Sequence, residues 1–354
     1  MSPHNKRNNE SGIRLAVIGA GLMGKKHAAI AAGLQGCRLV GICDADPTVR
    51  SLAGELGVKF YTDYEEMITG EAPHGVIIAT PSELHAPVGM TCALHGVHLF
   101  VEKPIAADLP DAQNLVESAR ENGVQLLVGH HRRFNPLVEA ARQAIRDGKI
   151  GKPVAISIIW VLLKPPDYFQ IEWRRKQGGG PVLINLIHDI DNMRFICGEI
   201  KRVYAETSSA VRGFEVEDSA SVSLRFSNGA LGGIVASDCV PSGWSYEATT
   251  GENPYYFRTR ENCYLFFGTE GSLSFPDLRV VRYANPHQAG WQFPLVTEQI
   301  TVESYDPLVA QMEHFCRVIK GKEKPRTDGE DAMRSLAVAL AVLESGRLGR
   351  PVEL

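Results

Sequence analysis

The stretch IRLAVIGAGLMG, residues 13–24, decides the fold of this 354-residue chain. A short apolar run ends directly in a glycine-rich turn, and a helical pattern begins at once. The first glycine permits a tight turn, the second lets the backbone approach a pyrophosphate, and the third lets the helix pack close to the strand. Any tight turn between a strand and a helix can also produce this pattern, so its context decides its meaning. The predicted cofactor contacts in this turn are Gly19, Gly21, Leu22, Met23 and Gly24.

Residues 13–134 alternate short apolar runs with amphipathic segments, which is typical of a Rossmann domain with a parallel, doubly wound sheet. Asp46 and Asp108 are expected to cap the helices that follow them. The predicted strands are 13–18, 37–43, 75–79, 97–101 and 124–128, and the predicted helices are 22–33, 47–57, 83–95 and 109–122.

From residue 135 the pattern changes to longer strand-like runs joined by turns. Residues 135–354 are therefore predicted to form an α+β domain with a large, mainly antiparallel open sheet. The predicted strands are 154–163, 201–211, 217–226, 230–239, 262–267 and 278–283, and the predicted helices are 137–147, 182–197, 305–320 and 329–346. The last of these helices is a candidate to pack back on the first domain. The aromatic loop 241–258 is either a lid or a subunit contact. Residues 1–12 are expected to be a disordered tail.

The composition excludes several classes of function. A formal charge of −4 argues against a nucleic-acid-binding surface, and no apolar run approaches the ~18 residues that a membrane span needs. The seven cysteines are scattered without any Cys-x-x-Cys pair, so we expect free thiols, a cytoplasmic location and no metal site.

Asp44 stands at the end of the second predicted strand, twenty residues after Gly24. A carboxylate there accepts hydrogen bonds from the adenosine ribose hydroxyls and repels a 2′-phosphate, which favours NAD over NADP. The alternative is a turn residue before Asp46 and Pro47. Further along, Thr80 and Pro81 end another strand and are expected to touch the cofactor. His85 is either a cofactor contact or a polar surface residue.

Glu102-Lys103-Pro104 follows the apolar run 97–101 and places an amine where ligands of open α/β sheets bind. An exposed lysine has a pKa of ~10.4. Desolvation and a nicotinamide cation would lower the pKa of Lys103, whereas Glu102 would raise it. Lys103 is thus a candidate proton-transfer group, and Glu102 and Lys103 are both candidate cofactor contacts. The alternative is a surface lysine that pairs with Glu102. Pro104 also allows a cis peptide bond.

Residues 178–192, GGGPVLINLIHDIDN, form the second chemical cluster. Spacings of three and four place Asn185, His188, Asp191 and Asn192 along one side of a predicted helix. Polar groups in such an apolar helix need partners if they are buried, which suits the wall of a site better than a core. His188 is therefore a candidate acid/base group, although a lone histidine on a helix is more often structural.

Taken together, these elements resemble the Gfo/Idh/MocA oxidoreductase family, which includes glucose-fructose oxidoreductase and inositol dehydrogenase. The motifs that carry the resemblance span nearly the whole chain: GAGLMG, Asp44, Thr80-Pro81, Glu102-Lys103-Pro104, GHHRRFNP at 129–136, Trp173-Arg174 and the glycine-to-histidine helix. The resemblance implies an NAD-binding Rossmann domain, a substrate-binding domain with an open sheet, and a homodimer or homotetramer formed through that sheet.

The family's catalytic lysine maps onto Lys103 and its histidine onto His188. Members similar to inositol dehydrogenase have an aspartate four residues before the histidine, where this sequence has Ile184. Support for the histidine would then come from Asn185, Asp189 or Asp191. The expected reaction transfers hydride from a carbinol carbon to nicotinamide, with His188 as base and Lys103 polarising the oxygen, and the reverse assignment of these roles is also open.

The predicted substrate is a sugar, a polyol, a cyclitol or a carboxylated derivative of one. A neutral polyol or sugar is the broader expectation. Several cations are candidates to face the cleft and suit a carboxylated substrate, because arginine suits bidentate carboxylate recognition: Lys164, Arg174, Arg175 and Lys176 around the glycine run, and Arg132 and Arg133 after the last Rossmann strand. The alternative is that these charges are solvated or position the cofactor. An NAD-dependent glycosidase and a non-catalytic NAD-dependent sensor are the rival functions. The predicted substrate contacts are Arg132, Trp173, Arg174, Asn185 and His188.

Overall fold

The chain is described by a computed structural model over residues 12–354, so residues 1–11 of the expected tail lie outside the described residues. These residues form two compact units. The first comprises the residues up to His131 together with Leu308–Met333, and the second comprises Arg132–Pro307 with Arg334–Leu354. The prediction had a single boundary after residue 134, whereas residues 308–333 return to the first unit.

The first unit contains a six-stranded parallel sheet in the order β3-β2-β1-β4-β5-β6. This arrangement confirms the predicted doubly wound Rossmann sheet. The short, half-exposed strand β3 has no apolar run and was missed in the prediction. The strands are β1 Ile13–Ile18, β2 Cys37–Cys43, β3 Lys59–Tyr61, β4 Gly75–Ile78, β5 His98–Val101 and β6 Leu126–Val128.

Helices connect these strands, as the amphipathic segments predicted. The side chains of Asp46 and Asp108 each accept a backbone N–H at 2.9 Å, from Thr48 and Asp111, so both predicted caps are confirmed. The helix at 64–71 was not predicted. The helices are α1 Leu22–Gly33, α2 Arg50–Glu55, α3 Tyr64–Glu71, α4 His85–Leu94 and α5 Leu109–Glu121.

The second unit contains a nine-stranded, mostly antiparallel sheet in the order β14-β13-β12-β11-β7-β10-β9-β8-β15, as predicted for this domain. Within the described sheet, only β7 and β10 pair in parallel. The prediction missed β12, β14 and β15. The strands are β7 Pro153–Val161, β8 Ile200–Ser208, β9 Ser219–Phe226, β10 Leu231–Ser237, β11 Tyr264–Gly268, β12 Gly271–Phe275, β13 Arg279–Tyr283, β14 Leu295–Gln299 and β15 Val352–Glu353.

The remaining helices are α6 Pro136–Arg146, α7 Ile187–Cys197, α8 Tyr246–Thr250, α9 Pro307–Ile319 and α10 Gly329–Leu348. The predicted helix 182–197 is α-helical only from residue 187, because Val182–Leu186 forms a π-helical turn. The aromatic loop 241–258 contains α8.

Helix α9 completes the core of the first unit. Phe315 lies 5.6 Å from Phe100 of β5, ring centroid to ring centroid, and both side chains are fully buried. Leu15 and Ile77 belong to the same cluster. Burial of these apolar side chains stabilises the unit and gives the strand ends a fixed position. Among residues 12–354, no helix is both long and apolar enough to cross a membrane.

Candidate active site

The glycine turn of the first unit has the geometry that a dinucleotide requires. Gly19 has a φ of 87°, and a Cβ there would lie 2.6 Å from the carbonyl of Ala79. A Cβ on Gly24 would lie 1.8 Å from the Gly19 oxygen, which explains the close packing of α1 on β1. A Cβ on Gly21 would meet no described atom within 4 Å.

Helix α1 begins at Leu22 without a side-chain cap, and Leu22 itself is largely exposed. The N–H groups of a first helical turn attract anions. The open space over Gly21 and the uncapped helix start therefore fit the pyrophosphate of a dinucleotide. Gly19, Gly21, Leu22, Met23 and Gly24 all lie at this turn, as predicted.

Asp44 follows β2 and is half-buried. Its carboxylate accepts the backbone N–H of Ala20 at 2.5 Å and that of Asp46 at 2.8 Å. A carboxylate offers about four acceptor positions, so two remain for ribose hydroxyls. The contact with Ala20 also fixes Asp44 directly beside the glycine turn.

His85 joins the loops that follow β4 and β5. Its Nδ1 lies 2.7 Å from the carbonyl oxygen of Pro104, and its Nε2 lies 2.9 Å from that of Thr80. The side chain is only 2% exposed, so the alternative of a surface residue was wrong. Burial lowers the pKa of His85, against the two carbonyl contacts. His85 therefore acts as a clamp between two loops, and contact with the cofactor stays a prediction.

Thr80 and Pro81 lie at the carboxyl end of β4. The Thr80 hydroxyl is buried and has no hydrogen-bond partner among the described residues. Such a group needs an acceptor or donor from outside the chain. A cofactor ribose or amide fits this position, and Pro81 is exposed beside it.

Glu102 is buried at the end of β5 and pairs with His27 of α1. The Glu102 Oε1 lies 2.6 Å from the His27 Nε2, and its Oε2 accepts the backbone N–H of Lys103 at 3.2 Å. Burial acts to raise the pKa of Glu102, but the hydrogen bond to His27 and the charges of Lys103 and His131 lower it to about 2. The Glu102 carboxylate, paired with His27, thus lies next to Lys103.

Lys103 is half-buried, and the Lys103–Pro104 peptide bond is cis. The prediction missed His27, although a signal was available. Gly24, His27, Ala28 and Ala31 share the buried side of α1 at helical spacing. A histidine within such a row requires a polar partner.

In the second unit, the helix of His188 begins with the π-helical turn 182–186. Glu217 accepts the backbone N–H of Val182 at 2.8 Å, and a Cβ on Gly180 would collide with the Glu217 carboxylate. A π-helical turn holds more residues than an α-helical one, so the predicted alignment of Asn185 with His188 was based on the wrong period. The Asn185 Oδ1 is buried without a hydrogen-bond partner among the described residues.

His188 is buried at the start of α7, and Asp189 next to it belongs to a polar network. Arg132 lies 3.3 Å from the Asp189 carboxylate and 2.7 Å from that of Glu247. The Tyr264 hydroxyl donates to Asp189 Oδ1. Burial raises the pKa of Asp189 to about 6, against the opposing charge of Arg132.

The guanidinium of Arg132 also lies 3.7 Å from the ring centroid of Tyr246, and Arg132 is only 3% exposed. Two carboxylates already balance its charge. Arg132 therefore bridges elements of the second unit, and a direct substrate contact stays a prediction.

Asp191 has a structural role. Arg133 binds both of its carboxylate oxygens, at 2.8 and 2.6 Å, and Ser335 donates to it at 2.7 Å. Asp191 is one of the three residues expected to support His188. Arg133 and Ser335 bind the Asp191 carboxylate. The support of His188 by Asp191 stays a prediction.

Trp173 and Arg174 lie in a turn before the glycine run. Trp173 is half exposed, and the Arg174 guanidinium lies 4.0 Å from the ring centroid of Tyr168. The Arg174 Nη1 donates to the Tyr168 carbonyl at 2.8 Å. Among the described residues, no cluster of His, Cys, Asp and Glu has the arrangement of a metal site.

Comparison with known proteins adds the family context. Residues 13–130 match the Gfo/Idh/MocA model described as an oxidoreductase family with an NAD-binding Rossmann fold, and residues 142–354 match the C-terminal alpha/beta domain of the same family. The chain is 29% identical to a scyllo-inositol 2-dehydrogenase (NAD(+)) of Bacillus subtilis, over 98% of this chain and 97% of that one. A myo-inositol 2-dehydrogenase of Thermotoga maritima is 28% identical over 97% and 98%.

Among solved structures, the WlbA dehydrogenase of Bordetella pertussis, in complex with NADH and UDP-GlcNAcA, superposes with a TM-score of 0.78. It is 24% identical and covers 97% of this chain and 99% of its own. At that identity the similarity shows a shared fold.

Proposed function

Because this chain belongs to the Gfo/Idh/MocA oxidoreductase family, we propose that it oxidises a secondary hydroxyl of a sugar, polyol, cyclitol or carboxylated derivative with NAD. The family assignment makes it an oxidoreductase that acts on CH–OH groups. The inositol dehydrogenases among its relatives, similar over nearly their whole length, support a polyhydroxylated substrate. The proposal rests on one observation: Lys103 lies at the carboxyl end of β5, in the unit whose glycine turn fits a dinucleotide.

In this proposal the first unit binds NAD, which supplies a hydride acceptor when bound. The first turn of α1 and Gly21 bind the pyrophosphate, and Asp44 accepts the adenosine ribose hydroxyls. Thr80 and Pro81 contact the nicotinamide half, where the unpaired Thr80 hydroxyl finds a partner. His85 holds the two loops that contribute these groups.

Lys103 donates a hydrogen bond to the substrate oxygen. The hydrogen bond to His27 lowers the pKa of the neighbouring Glu102 carboxyl against its burial, and the carboxylate favours the ammonium form of Lys103 by simple attraction. An ammonium group polarises the carbinol oxygen and stabilises the negative charge that develops on it. The ionised Glu102 therefore favours Lys103 as donor over Lys103 as base.

His188 accepts the hydroxyl proton while the carbinol hydrogen leaves as hydride. A neutral imidazole has a pKa suited to this task near neutral pH. Asp189, next in the chain, is held by Arg132 and Tyr264 and fixes the start of α7. Asn185 and Arg174 are the other proposed substrate contacts, together with the exposed ring of Trp173.

NADH formation tests the proposal. The protein is incubated with NAD and a panel of inositols, aldoses, alditols and sugar acids, and absorbance of NADH is followed. Stoichiometric production of NADH and ketone supports a dehydrogenase. Release of an aglycone from glycosides without net NADH would indicate the glycosidase instead.

We also propose a homodimer or homotetramer formed through the nine-stranded sheet. Four apolar side chains on one face of β10 and β11, the two strands that flank β7, are exposed by 37–55%: Leu231, Val235, Leu265 and Phe267. Exposed apolar patches of this kind mark interaction surfaces. Light scattering of Val235→Glu against the wild type tests this contact.

All seven cysteines are free thiols, which supports the proposed cytoplasmic location.

A further inference from the structure

Lys164 is a buried lysine just beyond the end of β7. Its side chain is 7% exposed, and its Nζ lies 3.3 Å from the Asp238 carboxylate. The ammonium makes no hydrogen bond with the described residues. A buried ammonium has three donors and is costly to leave unsatisfied, and the Asp238 ion pair engages at most one of them, so donors remain for an acceptor from outside the chain.

The carboxylate of Asp238 is shared. The Arg212 Nε donates to it at 2.9 Å, so a single carboxylate serves two cations. Burial lowers the pKa of Lys164, while Asp238 and Glu247 act in the opposite direction. Asp238 thus leaves Lys164 only partly compensated.

A second buried donor lies against the same aromatic ring. The Tyr168 ring centroid is 4.8 Å from Lys164 Nζ and 4.0 Å from the Arg174 guanidinium carbon. The Arg174 Nε is buried and has no acceptor among the described residues. Two cationic donors beside one ring suit a planar anion better than a neutral hydroxyl.

This cluster is connected to the helix of His188 within the second unit. Trp160, whose ring lies 5.8 Å from Lys164 Nζ, donates to Glu247 at 3.0 Å, and Glu247 binds Arg132 of the Asp189 network. A chain of side-chain contacts thus joins the Lys164 cluster to the group that fixes the start of α7.

We propose that Lys164 and Arg174 bind a carboxylate of the substrate, so that the enzyme prefers sugar acids or hydroxy acids to the corresponding neutral polyols. This inference rests on the proposed dehydrogenase function and specifies its substrate class. A carboxylate oxygen completes the hydrogen bonding of both cations. A neutral polyol adds no negative charge to the partial compensation that Asp238 provides.

Calorimetric titration of the NADH-loaded protein tests the proposal. The probes are D-glucuronate, D-galacturonate, D-gluconate and L-tartrate, compared with D-glucose, D-galactose, sorbitol and threitol. We expect at least one acid to bind about 10-fold or more tightly than its neutral counterpart. Lys164→Met and Arg174→Gln should each weaken acid binding by about 10- to 100-fold, as loss of a charge-assisted hydrogen bond implies, and should leave NADH binding unchanged.

Lys152→Met is the matched control, because Lys152 is exposed just before the start of β7 and its loss should not affect acid binding. If Lys164→Met does not fold, the acid affinities of Lys164→Arg and Arg174→Gln test the proposal instead. Equal or tighter binding of the neutral compounds in the wild type overturns the proposal, as does an acid preference that survives both substitutions.

Failure of this inference is distinguishable from failure of the proposed function. An enzyme that binds NADH and oxidises neutral polyols without acid preference has the proposed function but lacks the carboxylate site. A protein that does not bind NADH, or that forms no NADH with any compound of the panel, lacks the function itself.

Discussion

The imidazole of His27 and the carboxylate of Glu102 form a buried pair, with Nε2 2.6 Å from Oε1 and neither side chain more than 8% exposed. The pair joins α1, which carries the glycine turn, to the strand end that carries Lys103. It places a fixed negative charge directly before the proposed catalytic lysine.

His27→Ala should destabilise the protein by about 3–5 kcal/mol, because it leaves the Glu102 carboxylate buried without its partner. Urea unfolding at pH 7 measures the change. His95→Ala, at the exposed histidine directly after α4, is the control and should cost less than about 1 kcal/mol. Equal effects of the two substitutions would show that the buried pair contributes nothing to stability.

The glycine turn offers a matched series. Gly24→Ala should destabilise severely, because its Cβ would lie 1.8 Å from a carbonyl oxygen, whereas Gly21→Ala has open space and should fold normally. Gly21→Ala should still weaken NADH binding by about 10-fold or more, because the methyl occupies the space of the pyrophosphate. Thermal unfolding and NADH fluorescence titration measure both effects.

Gly33→Ala is the control for this series, since a Cβ there meets no described atom within 4 Å. It should stabilise α1 by about 0.5–1 kcal/mol without affecting NADH binding. Unchanged NADH affinity in Gly21→Ala would contradict the assignment of the pyrophosphate to this turn.

Asp44 should control the choice of cofactor. The double substitution Asp44→Ser and Ala45→Arg removes the carboxylate and adds a cation for a 2′-phosphate. We expect NADH affinity to fall by about 10-fold and NADPH affinity to rise, as measured by fluorescence titration. A variant that keeps the NADH preference of the wild type would place the ribose elsewhere.

Asp189 should make stability depend on pH. Its pKa is raised to about 6 in the folded state, against ~3.9 in an unfolded chain, so the folded state binds this proton more tightly. Protonation of Asp189 therefore stabilises the folded state increasingly as the pH falls from ~6 to ~4, by up to ~3 kcal/mol. This stabilisation is lost as the pH rises through about 6. Urea unfolding between pH 4 and 7 should show this dependence in the wild type and lose it in Asp189→Asn.

Glu121→Gln, at an exposed carboxylate on α5, is the control for the pH experiment and should follow the wild type. If the stability of Asp189→Asn parallels that of the wild type over the whole range, the Asp189 carboxyl does not titrate as its burial implies.

The sequence was sufficient for those parts of the fold that depend on local pattern. The strands at 13–18 and 37–43 were predicted with their observed bounds, because a strand buried on both faces is a continuous apolar run. Lys59–Tyr61 was missed, because a strand of three half-exposed residues has no such run. The π-helical turn at 182–186 was also missed, since an apolar pattern does not distinguish it from an α-helical turn.

The buried polar pairs were beyond sequence reasoning for a different reason. His27 and Glu102 are separated by 75 residues, and Arg132 and Glu247 by 115. Only the tertiary fold brings such residues together. The individual candidates at strand ends and on the helix of His188 were visible, but not the partners that fix their charge and orientation.

The most direct test of the central claim is turnover by Lys103→Ala and His188→Ala, measured as NADH formation on a substrate that the wild type oxidises. The account predicts that each variant binds NADH within about twofold of the wild type and loses about 10²–10⁴-fold in kcat, as expected for loss of acid/base catalysis. Turnover at the wild-type rate in either variant would contradict it.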